Sequence, residues 1–578
     1  MLNTHLDSTS RGLVRGARCA LRLVVALILL TGCENRPLRV IRAEAPDPPE
    51  AQIGERLFLE TRFAQRFAVE AGDRIDTASV ADPVTANLET TSAPRPGPFA
   101  GSTINCRNCH LVDDSPDPDG QGTRTYADFA RRSPIPDRGD GRTHTPRNSP
   151  SLVDSTVPRA VPFVLHFDGE FATTAELIEG TWTGRNFGWL ADQHDAALAH
   201  LASVVRADDG SGALAAGYAG LPYATLLAGT DPRIPPELVL PEARRLDVSV
   251  ATDEQVFASA VSLAEAYLDG LRFSRDAHTG DFDGSPFDRF VALNHLPSHP
   301  AEGERPIDFA RRFREAIAGL EAPVWVHDGA DGKFALHEHP FQFGPEELDG
   351  LLVFLSEPDA KATTRSRQVP ARERGTGNCL ACHVPPELSD FALHNAGVSQ
   401  EGFDAVHGDG AFEALPVPDL AARNADPDRW LPASAAHPLA TGPFRAIPSS
   451  EDPIASDLGA WNVLGNPAMP EAQGPVEALV RNAAGLPPES GDGATLLPFA
   501  VALFKTPVLR DLGQSAPYFH DGSADTLAVA VRHYQRFSDR ARAGRVRNAA
   551  LELQSIQLSD DDVQPLVSFL QSLDEDYD

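Results

Sequence analysis

The stretch Cys106-Arg107-Asn108-Cys109-His110 recurs in the second half of the chain as Cys379-Leu380-Ala381-Cys382-His383. Both copies have the pattern C-x-x-C-H, and together they hold four of the six cysteines. Two thiols at this spacing can add to the two vinyl groups of a haem, and the adjoining histidine can then ligate the iron. The sequence therefore predicts two covalently held c-type haems.

Paired cysteines also occur in zinc sites and in redox dithiols. A zinc ribbon uses paired C-x-x-C units, but it needs no histidine directly after each pair, and its cysteine pairs normally lie much closer together than these two do. The repeated histidine and the wide separation both favour haem attachment.

The N-terminus has the features of a bacterial lipoprotein signal. The apolar run from Leu23 to Leu30 is short for a membrane span, and Leu30-Thr31-Gly32-Cys33 looks like a lipobox. The resemblance implies cleavage before Cys33 and a lipid on Cys33 that tethers the protein on the periplasmic side of a bacterial membrane. The alternative is an uncleaved membrane anchor, and membrane fractionation of a Cys33→Ala variant distinguishes the two.

The composition is strongly acidic. The 578 residues carry a formal net charge of −32, and the only lysines are Lys333, Lys361 and Lys505. Such a charge disfavours nucleic acid as a partner and suits a basic protein, such as a small electron-donor cytochrome. Solubility alone is the other explanation for the charge.

The chain is predicted to be mainly α-helical. Apolar residues recur at helical spacing within 52–67, 192–206, 253–273, 306–320, 345–355 and 559–573. Residues at about 400–500 are rich in Pro, Gly and Ala and predict a long loop insertion. The predicted parts are a signal peptide (1–33), a tether (34–50), an N-terminal haem domain (51–296), a helical insertion (297–366) and a C-terminal haem domain (367–578).

Several further motifs surround the two C-x-x-C-H stretches, and their order resembles the bacterial di-haem cytochrome c peroxidase family, which includes MauG. Along the chain they are Gly54-Glu55-Arg56-Leu57-Phe58, Pro146-Arg147-Asn148-Ser149-Pro150-Ser151-Leu152, Phe167-Asp168-Gly169, Ser285-Pro286-Phe287-Asp288-Arg289-Phe290, Leu393-His394-Asn395, Lys505-Thr506-Pro507-Val508-Leu509-Arg510 and Ala516-Pro517-Tyr518-Phe519-His520-Asp521-Gly522. The resemblance implies two cytochrome c-like haem domains, with hydrogen peroxide handled at the N-terminal haem and electrons entering at the C-terminal haem.

The resemblance also implies a calcium ion between the haems. Its ligands would be the side chain of Asn148 and the backbone carbonyls of Ser515 and Pro517, and oxygen ligands of this kind suit calcium. The alternative is that Asn148 merely caps a turn.

The iron ligands follow from the motifs and from the family register. His110 and His383 are the predicted proximal ligands, because each directly follows the second thioether. The resemblance places the sixth ligand of the second iron at Tyr534, where peroxidases of the family have methionine and MauG-like members have tyrosine. Met469 and His533 are the alternatives, and Tyr534 could instead be an ordinary buried tyrosine.

The peroxide pocket departs from the family pattern. Phe167 stands where members have a tryptophan, and no glutamate aligns with their distal glutamate, whose nearest equivalents are Arg185 and Asn186. Cleavage of peroxide needs a proton-transferring group and a polar group that stabilises the leaving anion. Arg185 is a candidate for the second role, and the candidates for the first are Glu176, Glu170 and Glu179, each of which could instead be a solvated surface residue. His144 could cap the first iron at rest or lie in a surface loop.

These features predict a lipid-anchored di-haem enzyme that reduces hydrogen peroxide with electrons from a cytochrome-like donor. The first alternative is a MauG-like or oxygenase-like enzyme that oxidises a protein or organic substrate through high-valent iron. The second is a non-catalytic electron carrier, which would need a sixth protein ligand on both irons.

Replacing both Cys379 and Cys382 by serine should leave one covalent haem per chain, because each motif attaches its own cofactor. The pyridine-haemochrome assay counts the haems, and the paired Cys106→Ser and Cys109→Ser variant is the matched control. Two covalent haems in either double variant would contradict the assignment.

Overall fold

Helices make up most of the regular structure of this protein. The computed structural model describes residues 47–72, 105–106, 109–110, 135, 145–335, 337–358 and 372–576. The predicted signal, Cys33, the start of the tether and His144 lie outside these residues. No helix in the described ranges is both long enough and apolar enough to cross a membrane.

The described residues form seventeen α-helices and one two-stranded sheet, so the prediction of a mainly α fold is confirmed. Strands β1 (Leu393–His394) and β2 (Phe504–Lys505) pair antiparallel, with Leu393 opposite Lys505. The helices are α1 Pro49–Phe58, α2 Gln65–Ala71, α3 Thr174–Trp182, α4 His194–Ala207, α5 Ala213–Ala216, α6 Tyr223–Ala228, α7 Asp253–Gly270, α8 Pro286–Leu293, α9 Pro306–Ala318, α10 Pro345–Phe354, α11 Val398–His407, α12 Leu420–Ala425, α13 Pro427–Trp430, α14 Gln473–Ala483, α15 Gly493–Leu496, α16 Leu527–Arg542 and α17 Asp560–Gln571.

Side-chain caps explain where several helices begin. Thr252, Ser285 and Ser559 each form a capping box with the residue three positions later, at the starts of α7, α8 and α17. The predicted helix over 52–67 is instead two helices, α1 and α2. The chain turns between them because the buried Glu60 accepts hydrogen bonds from both the backbone N–H and the guanidinium of Arg62.

A first hydrophobic core forms where α1 packs against α7. At Gly54 a Cβ atom would lie 2.0 Å from the Leu263 carbonyl oxygen, so only glycine allows the two helices to approach this closely. Trp182 and Phe187 belong to the same core, and Cys106 packs against it. The first C-x-x-C-H motif therefore lies beside the α1–α7 pair.

A second core has the same arrangement around α10 and α17. At Gly350 a Cβ atom would lie 1.9 Å from the Pro565 carbonyl oxygen. Leu380 of the second motif is buried in this core, as are Phe313 and Ile317 of α9. The apolar residues of 297–366 thus share one core with the segment that follows them.

The region at about 400–500 differs from the long loop that the sequence predicts. It contains α12 to α15 and a third core around Trp461, which is fully buried together with Phe444 and Val480. The buried Arg423 donates to the carbonyls of Trp461 and Leu464 and so ties α12 to this core. Contacts between side chains that are distant in sequence therefore hold this region in a defined fold.

Buried ion pairs connect this third core to the residues after the first motif. Arg147 binds Asp457 through Nε and Nη2, at 2.5 and 2.8 Å, and binds Asp168 through Nη1 at 2.7 Å. Arg445 binds both Asp168 and Glu170. Each charge in this network has an opposite charge as its partner, which compensates for its removal from water.

The Asp457→Asn substitution should lower the free energy of unfolding by about 3–5 kcal/mol, because it leaves the Arg147 charge without one of its two buried partners. Urea denaturation followed by circular dichroism measures the loss. Asp428→Asn is the matched control, since Asp428 is exposed and its one side-chain partner among the described residues is His437, at 3.1 Å. Equal losses in the two variants would contradict this account.

Candidate haem-binding site

The second C-x-x-C-H motif forms a tight turn. A 3₁₀ helix spans Cys379–Ala381, and the backbone N–H groups of Cys382 and His383 both donate to the Cys379 carbonyl, at 3.2 and 2.8 Å. Burial raises the pKa of the Cys379 thiol to about 12 and also raises the pKa of Cys382. The two thiols therefore lie on one short turn, directly before the histidine.

His383 is oriented as an iron ligand requires. Its Nδ1 lies 2.9 Å from the Leu388 carbonyl oxygen and donates to it, which directs Nε2 away from that carbonyl. Burial lowers the pKa of His383, so the ring is held neutral, as a metal ligand must be.

A cavity of about 310 Å³ adjoins these residues. Its size falls within the usual range for ligand and cofactor sites, and the lining is largely apolar. The lining residues from the second motif are Cys379, Cys382 and His383, and the apolar residues around them include Phe354, Leu512, Val531 and Leu566. Two thiols, a neutral imidazole and apolar walls fit a covalently attached haem at this position.

Tyr534 lies on α16 and lines the same cavity. Burial raises the pKa of Tyr534, and the nearby thiols of Cys382 and Cys379 raise it further. The phenol is therefore protonated unless a positive charge, such as that of an iron ion, compensates for the tyrosinate.

The other two candidates for the sixth ligand have different surroundings. Both ring nitrogens of the buried His533 have partners, since Nδ1 binds Glu401 and Nε2 binds the Ala396 carbonyl. Met469 packs against the third core and does not line the cavity. Of the three candidates, the structure brings only Tyr534 to the cavity wall.

The described residues of the first motif, Cys106, Cys109 and His110, form the same backbone hydrogen bonds as their counterparts in the second. The N–H groups of Cys109 and His110 donate to the Cys106 carbonyl, at 3.1 and 3.0 Å. Burial raises the pKa of Cys106 to about 12. Burial and the neighbouring His166 lower the pKa of His110 to about 4, with the Pro150 carbonyl acting against them. His110 is thus a neutral imidazole, as an iron ligand is.

The candidate acid–base residues of the first pocket lie outside the cavity. The Glu176 carboxylate caps α3 by accepting from the Ala172 and Thr173 N–H groups, at 3.0 and 3.1 Å. Arg185 and Asn186 are partly buried in the 3₁₀ turn Arg185–Phe187. The structure therefore assigns Glu176 a helix-capping role, and it does not bring Glu176 and Arg185 together at the cavity.

The other two glutamates predicted from the sequence as candidates for proton transfer are ion-paired. Glu179 is exposed and binds His194 at 2.9 Å. Burial would raise the pKa of Glu170, but Arg445 and His166 hold it below its ordinary value. Glu170 is therefore an ionised member of the buried network rather than a poised acid.

Three residues of the cavity wall, namely His394, Lys505 and His520, have no role predicted from the sequence. The pairing of β1 with β2 places His394 and Lys505 at this wall. Burial lowers the pKa of Lys505 to about 7, and its Nζ donates to the Val164 carbonyl at 3.2 Å. All three residues lie in the motifs quoted above, and these motifs are the feature of the sequence from which their position at the site could have been predicted.

Three aromatic rings, those of Phe167, Phe504 and His520, line the cavity next to one another. The His520 ring lies parallel to that of Phe504, with centroids 3.6 Å apart, and the Phe167 ring lies 6.5 Å from His520. Phe167 and Pro150 both line the cavity. The cavity thus extends from the second motif to Pro150, whose carbonyl lies beside His110.

The three residues predicted to bind calcium line the same cavity. The Asn148 side-chain amide contacts the Pro517 carbonyl, and the Asn148 backbone N–H donates to the His520 carbonyl at 2.6 Å. The structure therefore brings the turn at Asn148 against the turn at Pro517.

Comparisons with known proteins support the resemblance. No family model matches the chain. It is 35% identical over 94 residues to the methylamine utilization protein MauG of Methylophilus methylotrophus, which is 16% of this chain and 27% of that protein. It is also 35% identical over 71 residues to MauG of Methylorubrum extorquens, or 12% of this chain and 18% of that protein. The matches thus span less than a third of either relative.

Solved structures with a similar course of the chain include a MauG-like protein associated with microbial copper homeostasis (TM-score 0.41, 15% identity, 93% of this chain and 96% of that one). Another is the di-haem peroxidase BthA from Burkholderia thailandensis (TM-score 0.41, 16% identity, 92% and 87%). The order of the motifs and the curated MauG relatives make the chain similar to the di-haem cytochrome c peroxidase and MauG family. This similarity is consistent with two c-type haems.

Proposed function

We propose that the chain is a di-haem oxidoreductase that reduces hydrogen peroxide with electrons that enter through the second haem. The observation that carries this proposal is the cavity that extends from Cys379 and His383, past Phe167, to Pro150, whose carbonyl lies beside His110. An apolar cavity that runs from one attachment site to the neighbourhood of the other suits the transfer of electrons between two haems.

The residues of the chain would hold the cofactors as follows. The thiols of Cys106, Cys109, Cys379 and Cys382 would form the thioether bonds, and the neutral imidazoles of His110 and His383 would ligate the irons. A bound haem supplies an iron centre that exchanges electrons one at a time. The apolar wall excludes water, and the Leu388 carbonyl keeps the His383 ring in one orientation.

The net charge of −32 supports a basic electron donor, such as a small cytochrome c, because opposite charges speed the encounter. The signal-like N-terminus and Cys33 support a location on the periplasmic side of a bacterial membrane, with the lipid on Cys33 as the tether. Membrane contact through that lipid alone is part of this proposal.

A MauG-like activity on a protein or organic substrate is the second candidate, and the position of Tyr534 favours it. A tyrosinate is a hard anionic ligand that stabilises the oxidised iron, whereas a methionine thioether raises the potential and eases electron uptake. A second haem with a low potential suits an enzyme that takes electrons from its substrate.

Rapid mixing of the purified di-haem protein with hydrogen peroxide, with and without a reduced c-type cytochrome, tests the proposal. A peroxidase consumes peroxide in a fixed ratio to the cytochrome that it oxidises. Peroxide consumption without oxidation of the cytochrome would favour the MauG-like candidate, and no reaction of either haem with peroxide would favour an electron carrier.

The choice between the two candidates depends mainly on Tyr534. Tyr534→Phe should open the second haem to added cyanide, and Tyr534→Met should raise its potential by on the order of 100 mV, since axial ligands set haem potentials over about 0.8 V. Cyanide titration and spectroelectrochemistry measure the two effects. Met469→Leu is the control and should change neither. The ligand assignment would be overturned if Met469→Leu opened the second haem to cyanide and Tyr534→Phe did not.

We also propose that calcium binds between the turns at Asn148 and Pro517, with Ser515 as a further ligand. The close approach of the Asn148 amide to the Pro517 carbonyl supports this site. An ion there would join the Pro146–Asn148 turn to the segment that precedes α16.

Asn148→Ala should weaken calcium binding by about tenfold or more, because it removes one oxygen ligand. It should also perturb the absorption spectra of both haems, and removal of calcium with a chelator should have the same effect. Isothermal titration calorimetry measures the affinity. Asn424→Ala is the matched control, since the Asn424 amide also donates to a backbone carbonyl, that of Gly465 at 2.8 Å, but does not line the cavity. Equal calcium affinity in the parent and Asn148→Ala would exclude the site.

A further inference from the structure

Two histidines and an aspartate meet at a place separate from the cavity. His337 and His339 lie in the segment between α9 and α10, and Asp574 follows the end of α17. One ligand atom from each of the three residues lies within 4.8 Å of the other two. The cluster thus joins two parts of the chain that are more than 200 residues apart.

The distances suit a small metal ion. Asp574 Oδ2 lies 2.8 Å from His339 Nε2 and 3.8 Å from His337 Nδ1. A tetrahedral zinc ion with bonds of about 2.0–2.2 Å separates its ligand atoms by about 3.3–3.6 Å. The two measured distances lie on either side of this range, so small side-chain movements are enough to reach it.

Neighbouring groups orient two of the three ligand atoms, those of His337 and Asp574, toward the centre of the cluster. His337 Nε2 lies 3.0 Å from Asp511 Oδ1 and 3.1 Å from the Glu575 carbonyl, which leaves Nδ1 to face Asp574. Asp574 Oδ1 accepts from the Gly513 N–H at 3.0 Å, which leaves Oδ2 to face the histidines. A carboxylate behind a ligating histidine is the usual support of a metal site in proteins.

The cluster is also shielded from water. Asp574 is fully buried, the His337 side chain is 2% exposed, and the Phe334 ring packs edge-on against both imidazoles, with centroids 4.7 and 5.0 Å away. The His339 side chain is 20% exposed and provides the side from which an ion can enter.

A second cluster, formed by His166, Asp168 and Glu170, differs from this one in the partners of its carboxylates. There, the guanidinium groups of Arg147 and Arg445 occupy the carboxylates and take the place that a cation would need. Among the described residues, Asp574 forms ion pairs only with histidines.

We propose that His337, His339 and Asp574 bind a divalent transition-metal ion of the zinc class, with water as the fourth ligand. Imidazole nitrogens and a carboxylate oxygen are ligands that such ions favour. The ion has a structural role: it fixes the end of α17 against the segment between α9 and α10. Asp511 and Gly513 contact its ligands His337 and Asp574, and Leu512, Ser515 and Pro517 of the same segment line the cavity, so the ion stabilises the cavity wall from outside it.

Zinc binding to the di-haem protein, stripped of zinc on a chelating resin and kept in excess calcium, tests the proposal. The parent should take up one tightly bound zinc per chain by mass spectrometry of metals, and zinc should raise its thermal unfolding temperature. His339→Gln and Asp574→Asn should lose this uptake, and Asp511→Asn, which changes the support of His337 without removing a ligand, should weaken it by about 10–100-fold.

His299→Gln is the matched control and should bind zinc like the parent, because His299 is an exposed histidine that also pairs with an aspartate, Asp281, at 2.6 Å. Unchanged haem content in each variant shows that the chain has folded, and the partly exposed His339 serves if Asp574→Asn does not fold. No tightly bound zinc in the parent, or equal uptake in His339→Gln, would overturn the proposal.

Discussion

The buried guanidinium of Arg147 is the contact on which the arrangement of the site depends. It binds Asp168 in the segment after the first motif and Asp457 in the third core. The next residue, Asn148, contacts the Pro517 carbonyl in the segment that precedes α16. A buried arginine is costly in free energy unless planar acceptors surround it, and these two carboxylates meet that demand. These ion pairs therefore fix the position of the Pro146–Asn148 turn, and this turn fixes one end of the cavity.

The parts of this fold that could be predicted from sequence are those set by neighbouring residues. The turns of the two C-x-x-C-H motifs and the capping boxes at Ser285 and Ser559 need only residues within about four positions. The order around Trp461 could not be predicted in this way. It depends on the Arg423 guanidinium, which reaches carbonyls 38 and 41 residues away, and such contacts leave no local period in the sequence.

The residues of the candidate site also differ in whether they could be predicted from the sequence. Cys379, Cys382, His383 and Tyr534 line one cavity. The first three belong to one local motif, and the family resemblance points to Tyr534. Glu176 shows the opposite case. Thr173 and Glu176 have the spacing of a capping box in front of an apolar run, and this pattern indicates a helix start rather than an acid. Glu170 could not have been judged from sequence, because its ion pair with Arg445 spans 275 residues.

The segment from Asp511 to His520 connects the proposed metal ions to the cavity. Asp511 and Gly513 support the proposed zinc ligands, Ser515 and Pro517 belong to the proposed calcium site, and His520 stacks on Phe504 at the cavity wall. A ten-residue segment held at these points has little freedom to move at one of them without straining the others. Loss of either proposed ion would therefore loosen this segment. The Phe519 ring within it lies 6.1 Å from the Tyr534 ring, centroid to centroid, so the loss would reach the proposed ligand of the second iron.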